Sequence, residues 1–209
     1  NYFDHLARAE GYPSRSIRTP EEQKRADFIM LFNREGGARS ISNAGAVLNS
    51  LKSAFGGRVY PKIVTPAELK FPDIIGFMRK VAILITPHGA QIGNAGFMLP
   101  GSVLIEVQAK GCYQMAQDVK IANGDCYKHF ARYAGLGYMN VQGSSGLGCS
   151  SQKQYPVGPN AVVNAVRKML PAVNKQFDIR NELSRRTLRH LAAKGSSSPS
   201  WKHAAACAV

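Results

Sequence analysis

Leu84-Ile85-Thr86-Pro87-His88-Gly89-Ala90-Gln91-Ile92-Gly93-Asn94, followed by Ala95 to Pro100 and then Gly101-Ser102-Val103-Leu104-Ile105-Glu106-Val107, decides the fold class. It reads as a buried strand, a tight polar turn, a short helix, another turn and a second buried strand. A turn of this kind brings backbone N–H groups and a few polar side chains to one edge of a parallel sheet, where a phosphate can sit.

Outward from this stretch the same alternation continues. Phe28 to Phe32 is a short continuous apolar run, as expected of a strand buried on both faces, and it ends in Asn33-Arg34-Glu35-Gly36-Gly37. Ser42 or Asn43 is expected to cap a helix whose Val47, Leu48, Leu51 and Phe55 recur at helical spacing, and Gly56-Gly57 stops it. Val59 to Val64 reads as a second strand, with Pro61 marking an edge. A helix from about Asp73 to Lys80 leads into the central strand Val81 to Ile85. Further on, Asp125 to Ala134 reads as a helix and Leu136 to Val141 as a strand. Gln142 to Pro159 is a long Gly- and Ser-rich loop, and Asn160 is expected to cap a last helix that Pro171 kinks or ends. The prediction is an α/β fold, a Rossmann-like parallel sheet with helices on both faces. The expected organisation is a loosely packed lead-in over 1–27, the domain over 28–194 and a disordered low-complexity tail over 195–209.

Composition bounds the function classes. The 209 residues are 44% hydrophobic and 19% charged, a globular balance. No apolar run reaches the roughly 18 residues of a membrane span. The chain opens on Asn1 with no signal peptide, so a fragment or a processed chain is expected. The net charge of +14 is uneven: residues 167–209 carry nine bases and two acids. A basic stretch can meet nucleic acid or an anionic membrane surface, but Trp201 alone offers no aromatic interleaving, and no nucleic acid is expected. Cys112, Cys126, Cys149 and Cys207 lack zinc spacing; a disulfide among the first three and ordinary buried thiols both remain open.

Residues at strand ends of a parallel sheet face the ligand crevice. Arg34 pairs well with a diphosphate and keeps its proton, and His88 can donate to a phosphate oxygen or a leaving group. Gly89, Ala90 and Gly93 allow close backbone approach, and the helix starting near Gln91–Asn94 aims its positive end at the same spot. Glu106 is placed to accept from a ribose hydroxyl. These seven residues (Arg34, His88, Gly89, Ala90, Gly93, Asn94 and Glu106) form the candidate donor-binding set, with no metal ligand among them.

Ile85-Thr86-Pro87-His88-Gly89-Ala90 through Asn94, with Phe97 to Val103 and Ile105-Glu106-Val107, resembles the signature of glycosyltransferase family 61. Phe32-Asn33-Arg34 to Ile41-Ser42-Asn43 and Cys126-Tyr127 to Gly137-Tyr138 extend the resemblance over roughly residues 28–142. Gln91 and Gly93 depart from the Gly and Thr usual in that turn, and a single Pro100 precedes Gly101. The resemblance implies the C-terminal half of a GT-B glycosyltransferase, of the type that includes EGF-domain-specific O-GlcNAc transferases and plant xylan arabinosyl- and xylosyltransferases. It implies inverting transfer of a pentose or N-acetylglucosamine from a UDP-sugar to a glycan or glycoprotein acceptor, with the UDP-sugar as substrate and no cofactor. It implies work in the lumen of the Golgi or endoplasmic reticulum. The chain has no Asp-x-Asp, in keeping with a metal-independent site. No carboxylate here stands out as a general base, so a missing N-terminal domain or partner chain is expected to supply it, leaving this chain catalytically incomplete. The other expectation is a catalytically inactive domain of the same fold, binding within a larger assembly.

Overall fold

The computed structural model describes residues 2–12, 28–34, 39–109, 126–143 and 154–175. Among them, β1 (Phe28–Leu31), β2 (Val81–Pro87), β3 (Val103–Gln108) and β4 (Gly137–Gln142) form one sheet in the order β1-β2-β3-β4, every pair parallel. Every residue of β2 and β3 is buried, which is why both read as largely apolar runs, interrupted near their ends by Thr86, Glu106 and Gln108. The fold is α/β and Rossmann-like, as the alternation of patterns predicts.

Between β1 and β2 the chain steps to the far side of β1. Val59 bridges Ile29 and Val64 bridges Phe32, both in parallel sense. The expected strand over this segment is therefore only two isolated contacts at the sheet margin. Pro61 lacks the N–H that a continuous ladder needs, and the backbone bends there. The spatial order becomes segment 59–64, β1, β2, β3, β4. The chain moves outward from β1, then returns past it to β2, so the winding reverses between β1 and β2.

That reversal sends the helices to opposite faces. On one face α2 (Ala44–Phe55) and α5 (159–175) cover Ile29, Leu31, Ile83, Ile85 and Ile105. The other face, with Met30, Phe32, Leu84 and Leu104, is covered by several elements. These are α1 (Tyr2–Ala9), α3 (Asp73–Met78), a 3-10 helix (Ala90–Phe97) and α4 (Cys126–Tyr133).

Three local expectations change. The start of the lead-in does not pack loosely: Ala7 of α1 is fully buried, and the Phe3 ring stands edge-on to Phe97 at 5.3 Å and to Phe130 at 5.8 Å. Phe3 lies against Gly96, where any side chain would collide with the ring. Asn160 does not cap α5, which begins one residue earlier with Pro159 in its first turn, where a missing N–H goes unnoticed. Of the two outcomes expected at Pro171, a kink or an end, the end does not occur: the helix runs on to residue 175. Pro171 and Arg167, whose carbonyl loses its partner, are both exposed, so water can take the place of that bond. The expected loop centre (144–153), the stretch beyond 175 with the tail, and Cys112, Cys149 and Cys207 lie outside the described residues. Among the described residues no helix is long and apolar enough to cross a membrane.

Candidate functional site

In an open parallel sheet the crevice for ligands lies at the carboxyl ends of the strands where the winding reverses. Here that point falls between the ends of β1 and β2, which deliver Arg34 and His88. Gly89 follows with φ 151° and ψ 178°, a region that is essentially glycine's alone. A Cβ at Gly89 would lie 3.3 Å from Arg34 Nη1 and 2.7 Å from Gln91 Oε1. The guanidinium thus reaches from the end of β1 across to the turn after β2.

Gln91 holds that turn. Its Nε2 donates to the Pro87 carbonyl at 2.6 Å, and Ile92 N donates to Gly89 O at 3.0 Å to open the helix. The helix expected near Gln91–Asn94 begins at Ala90 and is 3-10 rather than α. Ala90 is exposed, whereas Gly93 and Asn94 sit half-buried farther along. Among the described residues a Cβ at Gly93 would meet nothing within 4 Å, so their packing does not demand glycine there.

His88 is anchored from below. Its Nδ1 lies 2.5 Å from Glu106 Oε1, and its ring stands edge-on to Tyr127 with centroids 5.1 Å apart. Glu106 has no exposed surface, and a buried carboxylate is tolerated only when donors surround it. Tyr138 Oη donates to Glu106 Oε2 at 2.6 Å, and Gln108 Nε2 donates to Oε1 at 3.1 Å. Where the sequence suggests a ribose contact for Glu106, the carboxylate is buried here and faces His88. The side chain of His88 keeps 32% of its surface exposed, so the imidazole is the member of this pair that meets solvent.

A belt of hydrogen bonds ties the strand ends together. Asn33 Nδ2 donates to Ile41 O at 3.1 Å, and Ile41 N donates to Asn33 Oδ1 at 2.9 Å. Ile41 bridges Tyr155, whose hydroxyl donates to the Val107 carbonyl at 2.7 Å. The same carbonyl accepts from His88 N at 2.9 Å. Burial pushes the ionisation of Tyr155 well above its ordinary range, the Glu106 charge adds to this, and the neighbouring His88 backbone works against it. Next to the belt, Asn43 clasps Val157, donating to its carbonyl at 2.8 Å and accepting from its N–H at 3.0 Å. Sequence reading set Asn33, Gln91 and Gln108 at the strand ends and Tyr138 in the resembling motif without giving them these roles, and it missed Tyr155. Among the described residues no three His, Cys, Asp or Glu side chains converge as a metal site would require.

Residues 9–105 match the family model described as glycosyltransferase 61, which takes in the Arg34 turn, β2, the His88 turn and β3 as far as Ile105. Over this segment the chain is similar to glycosyltransferase family 61. A relative from Takifugu rubripes, named protein O-linked-mannose beta-1,4-N-acetylglucosaminyltransferase 2, is 28% identical over 103 residues. That alignment takes in 49% of this chain and 17% of the relative, so the chain spans about a sixth of that protein's length. The family 61 match holds both basic groups of the crevice, Arg34 and His88. It stops one residue before Glu106, and Tyr138 and Tyr155 also lie beyond it.

Proposed function

We propose that this chain is the donor-binding part of a family 61 glycosyltransferase, with the diphosphate of a UDP-sugar lying across the Gly89 turn. The observation that carries the reading is the approach of the Arg34 guanidinium to Gly89, next in the chain to His88, where the sheet reverses its winding. Arg34 offers a fixed fork of N–H donors to phosphate oxygens, His88 a second donor, and Gly89 a backbone with no side chain in the way. In this reading Ala90, Gly93 and Asn94 border the donor along the 3-10 helix. Glu106 serves it through His88.

The chemistry proposed is inverting transfer in a GT-B arrangement, with this chain as the C-terminal half. The acceptor hydroxyl oxygen bonds to the anomeric carbon as the bond from that carbon to the UDP oxygen breaks. The charge left on UDP faces Arg34 and His88, which stabilise it without a metal. The base that takes the hydroxyl proton belongs to a domain or partner outside these residues. The sugar is a pentose or N-acetylglucosamine, the acceptor a glycan or glycoprotein, and the compartment the secretory lumen. The family match and the sugar-transferase name of the relative support this reading.

Thermal denaturation with added nucleotide tests it. UDP at about a hundred times its Kd is expected to add about 2.7 kcal/mol of stability, with or without EDTA. Arg34→Ala or His88→Ala should remove most of that gain. If UDP, UDP-xylose, UDP-arabinose and UDP-N-acetylglucosamine all leave the melting temperature unmoved at millimolar concentration, the reading fails. A binding or structural protein on the same fold then takes its place.

A further inference from the structure

We infer that Glu106 is a positioning residue, which together with Tyr138 and Gln108 holds the His88 ring with Nδ1–H inward and Nε2 outward to the crevice. Three donors converge on its carboxylate. Nδ1 of His88 and Nε2 of Gln108 meet Oε1 at 2.5 and 3.1 Å, and the Tyr138 hydroxyl meets Oε2 at 2.6 Å. A charged carboxylate has acceptors only, so the ring nitrogen that faces it must carry a proton. The proton at Nδ1 is therefore committed to Glu106, and Nε2 is the ring atom left to act. Where a phosphate oxygen meets Nε2, a second proton is required there, and the adjacent buried carboxylate balances the charge that proton brings.

The arrangement is rigid by construction. Glu106 sits in the middle of β3, paired on one side with Thr86 of β2 and on the other with Asn140 of β4. The His88 backbone is fixed by its bond to Val107 O, and Tyr127 stands against the ring. A side chain held from two directions presents its Nε2 at one place. The inference draws on the diphosphate reading only for what meets Nε2; the ring's orientation stands apart from it.

Two measurements on the intact chain decide the matter. Long-range 1H–15N spectra, recorded where the His88 ring is neutral and assigned with His88→Ala, should show a protonated Nδ1 and a bare Nε2. The opposite tautomer overturns the inference. Glu106→Gln keeps the volume but offers N–H as readily as oxygen, so the ring should populate both tautomers. UDP affinity should then fall about tenfold, the low end of the loss seen when the outer-shell partner of a metal-bound histidine is changed. On a His88→Ala background, Glu106→Gln should cost nothing further. Additive losses mean that Glu106 meets the ligand itself and overturn the inference. Should Glu106→Gln fail to fold, Tyr138→Phe retains the carboxylate and is expected to keep the Nδ1–H tautomer; loss of that tautomer would count against the inference. A wild-type chain that binds no UDP removes the diphosphate reading, while the tautomer spectrum still decides the positioning.

Discussion

Gly89 is the residue on which the two halves of the crevice meet, and its conformation leaves it no substitute. Gly89→Ala must place a methyl group 2.7 Å from Gln91 Oε1 and 3.3 Å from the Arg34 guanidinium, in a backbone region alanine avoids. We expect a loss of about 1–3 kcal/mol in urea unfolding, together with loss of UDP binding. A change within about 0.5 kcal/mol would instead mark an ordinary surface position. At this scale the positions of His88, Arg34 and Gly89 at the ends of β1 and β2 are legible from the apolar runs that precede them. Glu106 is not. Its position one strand along suits a ribose contact, but its fate is set by Tyr138 and Gln108. The register that aligns Leu104 with Tyr138 depends on a crossover that no local pattern encodes.

The helices and strands show a similar division. β2 and β3 are legible because burial on both faces writes itself as largely apolar stretches, Val81 to Ile85 and Val103 to Ile105. The helix start at Asn43 is legible too, though for a different reason than its chemistry suggests. Asn43 occupies the N-cap position of α2 but makes no capping bond with its side chain. The amide instead pairs with both backbone groups of Val157, joining α2 to the segment that leads into α5. Asn43→Ala leaves two half-buried backbone groups without those partners and is expected to cost about 2 kcal/mol in thermal unfolding, against little for Ser42→Ala. Equal effects at the two positions would return Asn43 to the role of a simple cap. Likewise, nothing in the polar composition of residues 1–27 announces that α1 belongs to the core. Its contribution rests on Phe3 and Ala7 meeting Gly96 and the aromatic side chains beside it, a contact between distant parts of the chain.

For the molecule as a whole, Tyr155 links global stability to pH. Burial holds its hydroxyl protonated in the folded state beyond its ordinary value of 10.0. Below that pH both states keep the proton. Above it the unfolded chain ionises while the folded chain does not, so stability is lost as pH rises toward the folded value. Tyr155→Phe should cost about 1 kcal/mol at pH 7 through the lost bond to Val107. Above pH 10 its stability should fall less steeply than that of the wild type. Urea midpoints from pH 7 to 11 check this, and two parallel curves would remove Tyr155 from the account. The overall winding was partly legible: alternating strands and helices imply a parallel sheet, but the reversal beside β1 rests on two isolated bridges at Val59 and Val64.

The Asn43–Val157 clasp has a consequence for assembly. Its partners stand 114 residues apart, whereas β2 and β3 pair Ile83 with Val103. Loop-closure entropy grows with the logarithm of separation, so drawing the clasp together directly from the open chain costs about 1.5 kcal/mol more than pairing those strands. The strand pairing that sets Glu106 beneath His88 thus closes a short stretch of chain, while the flank that steadies Asn33 depends on residues joined across more than half of it.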